Sequence, residues 1–236
     1  METVGGARKG NGHLMIDNII VLSADRNGST AYMENLKKTS KYTLNGDYEV
    51  FLSECFSQDE GKNQPPHWWD PVNFPPDEVV RAINFGTGKR VVLKLQITWP
   101  TFDSTYYKIN ASRKIFLHRN LFDSTLSRCV ALKTGHWFTD LNSEQNTGLV
   151  HIDADFFKSR LDYRIERYIQ NLDYILTWCN EWIRYENYNY QNDLRIKPNI
   201  DKQLVVENYN ELYDLFQSRA EIKVIEKEIS KKINDK

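Results

Sequence analysis

The chain has 236 residues, 40% of them hydrophobic, and this length suits one globular domain with an ordinary core. Its 31 lysines and arginines nearly balance its 32 aspartates and glutamates, which argues against a protein drawn to nucleic acid or an anionic membrane by its overall charge. Cys55, Cys129 and Cys179 form no CxxC pair, which argues against a disulfide framework or structural zinc and favours a reducing, cytoplasmic setting.

The N-terminal residues differ in composition from the rest of the chain. Residues 1–14 are polar and rich in glycine, and they lack the apolar core of a signal peptide. We predict that residues 1–14 are disordered and that residues 15–236 form a single domain. No apolar run approaches the roughly 20 residues that a membrane-spanning helix needs, so we expect no membrane span.

The chain then begins with a strand, a helix and a strand. From Asn18 to Ser23 a β-branched apolar run predicts a strand buried on both faces of a parallel sheet. From Ser29 to Lys38 the pattern predicts a helix whose cationic last turn complements its dipole. The segment Tyr48 to Phe56 follows an Asn-Gly turn signal and predicts a short second strand.

A second strand-turn-helix unit follows a proline-rich segment. The prolines from Gln58 to Pro76 predict a loop or lid, and Asp77 to Phe85 predicts a short helix. Strands are predicted at Arg90–Thr98 and at Lys114–His118. The spacing of apolar residues from Leu121 to Leu132 then predicts a helix, so the arrangement seen near the N-terminus recurs here.

The C-terminal part of the chain is predicted to be helical after a loop at Gly135–Asp153. The longest helical pattern runs from Phe156 to Tyr185, and a further helix is predicted at Leu204–Phe216. The isoleucine stripe of Ile222–Ile233 predicts an amphipathic helix that packs on its own domain or on a partner, so the oligomeric state is open. Strands alternating with helices predict an α/β fold with a parallel sheet.

The first strand enters its helix through a polar turn that consists of Arg26, Asn27, Gly28, Ser29 and Thr30. A glycine turn at a helix N-terminus aims free backbone N–H groups at one point, where an anion binds. The turn lacks the GxxxxGK[ST] pattern of ATP-binding loops, and residues 86–89 (GTGK) are too short to form one. Alone, this turn is as typical of a structural helix cap as of an anion site.

A second candidate for anion binding follows the strand Lys114–His118. Arg119 stands directly after that strand, and Ser127 lies eight residues later, about two helical turns on. A lone arginine in such a position more often forms a surface ion pair. Two such turns at the carboxyl ends of parallel strands instead indicate a ligand lying across that edge of the sheet, as nucleotides do.

Three segments together resemble one enzyme family. VLSADRNGSTAYMENL is similar to the 5′-phosphosulfate loop (PRSGST, then a helix) of sulfotransferases that use 3′-phosphoadenosine-5′-phosphosulfate (PAPS), of the carbohydrate and bacterial type. FLHRNLFDSTLSR resembles the 3′-phosphate site of that family, and IRYENY resembles its RYEDL segment. The resemblance covers most of Ile19–Tyr188 and implies a three-layer α/β/α, P-loop NTPase-like fold with a central parallel sheet.

The resemblance assigns phosphate-binding roles to both turns. Arg26 would hold the 5′-phosphosulfate and assist the departing phosphate, and the turn from Asn27 through Gly28, Ser29 and Thr30 would supply further donors. The 3′-phosphate would be held by Arg119 and Ser127. The chain departs from the family at Asp25 and Asn27, where proline and serine are usual.

The same resemblance implies the groups that carry the chemistry, and it implies no metal. Glu54 matches best the glutamate that acts as the general base, and Glu49 is its rival. Lys94 matches a lysine that the family places near the sulfate. Because a lysine inside an apolar strand is costly to bury without a partner, its position also favours a role in a site.

Other polar residues offer alternatives to these assignments. A histidine serves as base in cytosolic sulfotransferases, which makes His67, His118, His136 and His151 alternatives to Glu54. For His118, beside Arg119 on a strand, packing in the core is the preferred interpretation. The string Asp153-Ala154-Asp155 could indicate a metal-dependent glycosyltransferase, but it precedes a helix, so N-capping by Asp153 is the preferred interpretation.

The resemblance implies transfer of a sulfuryl group from PAPS to a hydroxyl group, with 3′-phosphoadenosine-5′-phosphate (PAP) as the product. The acceptor would be a glycan, a glycolipid or a small molecule, and the balanced charge of the chain predicts no nucleic-acid partner. Two alternatives stay open. One is a catalytically inactive sulfotransferase-like module for nucleotide binding or for interaction with a partner, which Asp25 and Asn27 favour. The other is a phosphotransferase of the P-loop class, against which the missing Walker lysine argues.

Overall fold

The protein is built around a sheet of five parallel strands. The computed structural model describes residues 18–29, 31–32, 36, 48–51, 76–81, 84, 91–98, 102–135, 149–187, 203 and 205–234. The strands are β1 (Ile19–Ser23), β2 (Tyr48–Phe51), β3 (Val91–Gln96), β4 (Arg113–His118) and β5 (Glu181–Arg184). The α-helices are α1 (Pro76–Arg81), α2 (Leu121–Thr134), α3 (Ala154–Trp178), α4 (Tyr209–Gln217) and α5 (Ala220–Asn234), and 3₁₀ turns lie at Ser104–Lys108 and Tyr185–Asn187.

The strand order is β2-β3-β1-β4-β5, with β1 in the centre. Val21 lies opposite Lys94 of β3 on one side and opposite Ile115 of β4 on the other, and both pairings are parallel. From β1 the chain first builds β2 and β3 on one side, then crosses to build β4 and β5 on the other. The order therefore reverses between β1 and β4, which is where ligands bind in open α/β sheets.

One face of the sheet carries the larger core. Alternate strand residues, among them Leu22, Leu95 and Phe116, point to this face and are wholly buried. Apolar residues of all five described α-helices complete the same cluster, with the largest contribution from α2, α3 and α5. Burial of this apolar surface is the main free-energy source that orders these helices on the sheet.

The opposite face of the sheet has its own, smaller core. Ile19, Val21, Ile115 and Leu117 pack there against Tyr32 and Leu36, which are helical and lie in the segment that begins at Ser29. Both faces of β1 are thus covered, which explains its continuous apolar sequence. The predicted α/β class with a parallel sheet is confirmed.

Helix caps fix where α2 and α3 begin. The Asn120 side chain accepts the N–H groups of Phe122 and Asp123, and α2 ends at Gly135 in the left-handed conformation, with φ 74°. The Asp153 carboxylate accepts the N–H of Phe156 at 2.8 Å, so the predicted N-cap of α3 is confirmed.

The predicted helix Phe156–Tyr185 is too long, because α3 ends at Trp178 and Glu181–Arg184 form β5. Asn180 accepts the N–H of Lys114 through its side chain and donates its own N–H to the Lys114 carbonyl, which starts the pairing with β4. Arg113 then binds both carboxylate oxygens of Glu181, at 2.6 and 2.7 Å. These contacts with a distant strand override the local helical periodicity.

Other element boundaries differ less from the predicted ones. The second strand is described for Tyr48–Phe51, and the helix predicted from Leu204 begins at Tyr209. The lid predicted at Gln58–Pro76 lies outside the described residues up to residue 75, and so do residues 136–148 of the predicted loop. No helix in the described part of the chain is both long and apolar enough to cross a bilayer.

The isoleucine stripe of α5 packs on the chain's own core. Ile222, Ile225 and Ile229 are buried in the larger cluster, and Val224, between the first two, is 58% exposed.

Truncation of Ile229, which is 0% exposed, should therefore be costly. We expect Ile229→Ala to lower the free energy of unfolding by about 2–5 kcal/mol, because it leaves a cavity under α5. The matched change Val224→Ala on the exposed side should alter it by less than about 0.5 kcal/mol. Urea denaturation monitored by circular dichroism measures both, and equal effects would contradict the packing of α5 described here.

Candidate functional site

The two predicted anion-binding turns meet at one edge of the sheet. The first turn, Asp25–Gly28, follows β1, and the second turn, Arg119 and Asn120, follows β4. Because β1 and β4 are neighbouring parallel strands, their carboxyl ends lie side by side. Arg26 donates its Nε–H to the Ser127 hydroxyl at 3.2 Å, and Arg119 donates an Nη1–H to the Arg26 carbonyl at 3.0 Å. Arg26, Arg119 and Ser127 therefore form one cluster, which we call the two-turn site.

The backbone of the first turn is left-handed at two residues. The φ angles are 62° at Arg26 and 76° at Gly28. Glycine adopts this conformation freely, whereas for arginine it costs roughly 1–2 kcal/mol. Beyond the turn, the N–H of Tyr32 is donated to the Gly28 carbonyl at 3.0 Å, which closes the first helical turn. Turns of this kind, followed by a helix, present N–H groups to anions.

Tyr185 covers both turns. A side-chain carbon at Gly28 would overlap the Tyr185 ring, and the Arg119 guanidinium lies over the same ring, 4.7 Å from its centroid. The neighbouring Glu186 accepts the N–H of Asn120 at 2.9 Å. The segment Ile183–Tyr188, the third stretch on which the family resemblance depends, thus contacts both of the other two through these residues.

Asn27 turns its side chain into the interior. It is 0% exposed, and its amide donates to the Leu117 carbonyl at 3.2 Å and to the Tyr168 hydroxyl at 3.4 Å. Only the backbone of Asn27 is therefore placed to contact a ligand of the first turn.

Asp25 is surrounded by positive charge. Its carboxylate binds Arg164 at 2.7 Å and Arg128 at 3.3 Å, and it accepts the Thr98 hydroxyl at 2.8 Å. Burial alone would raise the pKa of Asp25, but attraction to Arg164 and Arg128 outweighs burial and holds the pKa below its usual value. The carboxylate is therefore ionised at neutral pH, and these two guanidinium groups largely balance its negative charge.

Around Asp25 the residues that the structure describes carry more positive than negative charge. Burial lowers the pKa of Arg26; Asp25 raises it, and Arg119, Arg128 and Arg164 lower it further. Among the described residues the buried Nε of Arg119 has no hydrogen-bond partner. Because buried donors are normally paired, an acceptor with negative charge fits this position.

The remaining predicted residues lie in the first helical segment, in β2 and β3, or outside the described residues. Ser29 is buried at the start of the helical segment, and Lys94 is 0% exposed in β3, on the sheet face that also carries Val21. Glu49 lies within β2, opposite Val92. Thr30 and Glu54 lie outside the described residues.

His118 belongs to a buried network on the sheet face that carries the larger core. It is 0% exposed, as the prediction of a packed histidine requires, and its ring nitrogens contact Glu226 of α5 at 3.1 Å and the Tyr168 hydroxyl at 3.5 Å. Burial alone would raise the pKa of Glu226, but the hydrogen bond and charge of His118 and the charge of Arg184 hold it below its usual value. His151 is exposed and pairs with Glu207; His67 and His136 lie outside the described residues.

The sequence did not identify Thr98, Arg128, Arg164 or Tyr185 as parts of the site. One of them carried a usable signal: Arg164 lies beside Leu161, Ile165 and Tyr168 on the buried stripe of α3. An arginine on such a stripe needs a buried acidic or carbonyl partner, and here Asp25 provides both groups.

Two glycines offer a test of the contact between Tyr185 and the first turn. Gly28 and Gly135 have nearly equal φ, 76° and 74°, but only an added carbon at Gly28 meets a ring. Gly135→Ala should lower the free energy of unfolding by about 1–2 kcal/mol through strain alone. Gly28→Ala should cost about 1–3 kcal/mol more, because Tyr185 must move.

The comparison is made by urea denaturation of both single variants and of Gly28→Ala in a Tyr185→Ala background. In that background the cost of Gly28→Ala should fall to the cost measured at Gly135. If Gly28→Ala and Gly135→Ala cost the same in the wild-type background, Tyr185 does not pack on the first turn.

Comparison with known proteins adds no family to these observations. No protein-family model, no curated protein and no solved structure matches this chain.

Proposed function

We propose that the protein is a PAPS-dependent sulfotransferase, which moves a sulfuryl group from PAPS to a hydroxyl of a glycan, glycolipid or small-molecule acceptor and releases PAP. One observation carries the proposal. Arg26, Arg119 and Ser127, taken from two separate sequence motifs, meet at the carboxyl edge where the strand order reverses. On this proposal the parallel α/β architecture is the three-layer, P-loop NTPase-like form of the sulfotransferases.

A nucleotide with two phosphate groups suits this arrangement. In the structure Arg26 donates a hydrogen bond to the Ser127 hydroxyl. When the nucleotide binds, both side chains would exchange this hydrogen bond for bonds to phosphate oxygens. Hydrogen bonds between arginine and phosphate are charge-assisted and about twice as strong as neutral ones. Arg119, with its buried Nε, would bind the 3′-phosphate together with Ser127, and Arg26 would bind the 5′-phosphosulfate with the backbone of Asn27, Gly28 and Ser29.

Asp25 does not oppose anion binding on this proposal. Its carboxylate is held by Arg164 and Arg128, so the cluster of Arg26, Arg119, Arg128 and Arg164 keeps a positive excess. Positive charge fixed at this point is what a departing phosphate needs, because preorganised charge stabilises the transition state without reorganisation.

The reaction itself needs a base and cations. The acceptor oxygen would bond to sulfur while the bond from sulfur to the phosphate oxygen breaks; the hydroxyl proton would go to Glu54, and Arg26 and Lys94 would stabilise the charge that the phosphate gains. In the sequence Glu54 stands three residues after Phe51, the last described residue of β2, whereas Glu49 lies inside that strand. This order along the chain, toward the edge at which both turns lie, favours Glu54.

Binding of the product tests the proposal directly. PAP at 100 times its dissociation constant should stabilise the protein by about 2.7 kcal/mol. For a domain of this size that raises the melting temperature by roughly 5–10 °C. Arg119→Ala should abolish the shift, because it removes both the guanidinium over Tyr185 and a ligand of the 3′-phosphate.

The matched control is Arg81→Ala, which removes the same charge from an exposed position in α1. Its shift with PAP should equal that of the wild type in differential scanning fluorimetry. If millimolar PAP does not raise the melting temperature of the wild type, the proposal is wrong.

The runner-up is a module that binds the nucleotide without turnover. Asn27 favours it, because its amide is committed to Leu117 and Tyr168 where the family has a serine hydroxyl in the turn. PAP release from PAPS in the presence of simple sugars or phenols separates the two functions, since the module would bind PAP and release none.

Substitution of Glu54 and of Glu49 tests which of the two is the general base. Glu54→Gln should leave the PAP dissociation constant nearly unchanged and reduce PAP release from PAPS by about 100-fold or more, since it removes the proton acceptor alone. Glu49→Gln should retain turnover. The opposite result would move the assignment to Glu49.

A further inference from the structure

Every polar group of Asp25 takes part in a hydrogen bond or an ion pair. Its N–H donates to the Thr98 hydroxyl at 2.9 Å, and that hydroxyl donates back to the carboxylate at 2.8 Å. Its carbonyl accepts an Nη1–H of Arg164 at 3.1 Å, and its carboxylate accepts the Nη2–H of the same guanidinium at 2.7 Å. One residue is thus tied to the end of β3 and to α3 at once.

The guanidinium of Arg164 extends this connection to α2. It is 3% exposed and also donates to the Ser124 hydroxyl at 3.2 Å, and Arg128 of α2 contacts the other carboxylate oxygen of Asp25. Ser127, the partner of Arg26, belongs to the same helix. The network therefore fixes the first turn relative to the helix with which it forms the two-turn site.

This anchoring precedes a residue with a strained backbone. Arg26 holds φ 62°, and such strain persists only where surrounding contacts determine the conformation. The carbonyl of Asp25 on one side and the carbonyl of Arg26, bonded to Arg119, on the other keep the turn in this shape. With the turn so held, the Arg26 Nε lies within reach of Ser127.

We propose that Asp25 is a positioning residue of the two-turn site, which acts through Thr98, Arg164 and Arg128 to hold Arg26 in its left-handed conformation and so to preorganise the anion-binding turn. A negative charge in this place strengthens anion binding rather than weakening it. The statement about affinity rests on the proposed nucleotide site; the statement about Arg26 does not.

Two variants of the full-length chain test the proposal. Asp25→Asn removes the charge and keeps the shape; Thr98→Val keeps the charge and removes the hydroxyl that anchors Asp25. Calorimetric titration with PAP, at a temperature where circular dichroism shows each variant folded, should give a dissociation constant raised about tenfold in Asp25→Asn and severalfold in Thr98→Val. Thr98→Ser should restore wild-type affinity, and Asp173→Asn on the exposed side of α3 should leave it unchanged.

A second readout needs no ligand. The Nε–H signal of Arg26 in nitrogen-15 NMR spectra, assigned by its loss in Arg26→Lys, should be protected from exchange by Ser127 in the wild type and exposed in Asp25→Asn and Thr98→Val. Protection retained in both variants overturns the proposal, and so does a PAP affinity that is unchanged or tighter in Asp25→Asn. If the wild type binds no PAP, the proposed function fails, and the Nε–H signal alone decides the role of Asp25.

Discussion

The pairing of β1 with a parallel neighbour on each side is the constraint on which the rest of the structure depends. Because β3 and β4 flank β1, residues that are far apart in the sequence come to the carboxyl edge of the sheet together: Thr98, Asp25 and Arg119. The chain adds β2 and β3 on one side of β1 and then β4 and β5 on the other. The connections that follow β1 and β4 therefore run in opposite directions, which leaves a crevice between the ends of these two strands. The strand order alone thus leaves a crevice of the kind in which ligands bind, and the charges of the surrounding side chains determine which ligand charge suits it.

Two polar clusters beside the larger core differ in their balance of charge. Near the carboxyl edge, guanidinium groups outnumber carboxylates, and one carboxylate, Asp25, is shared between Arg164 and Arg128. Around His118 the balance is closer, because Glu226 meets the histidine and Arg184 and also accepts the N–H of Leu121. The second group ties α5 to the start of α2, so the last described helix supports the second turn.

The sequence predicts the fold where the signal is local. Continuous apolar runs identify β1, β3 and β4, and caps identify the starts of helices, as Asp153 does for α3. The predicted pattern fails at β5, because Trp182 and Ile183 continue a helical spacing and become a strand only through pairing with β4. In the site, Arg26 and Arg119 could be singled out from their turns. Arg164 carried a signal on the buried stripe of α3, but its partner and the role of Tyr185 could not be predicted, since these contacts lie 139 and roughly 160 residues away in the sequence.

The bond between Asp25 and Arg164 has a consequence for how the protein folds. It joins residues 139 positions apart, and the contact of Glu226 with Leu121 spans 105. Contacts of such long sequence separation close large loops before any stabilising energy is gained, which slows folding relative to helical proteins of equal size. During synthesis the two-turn site cannot reach its final geometry until α3 and then α5 have emerged from the ribosome. The first turn, although it is one short motif near the N-terminus, therefore depends on partners that are made much later than itself.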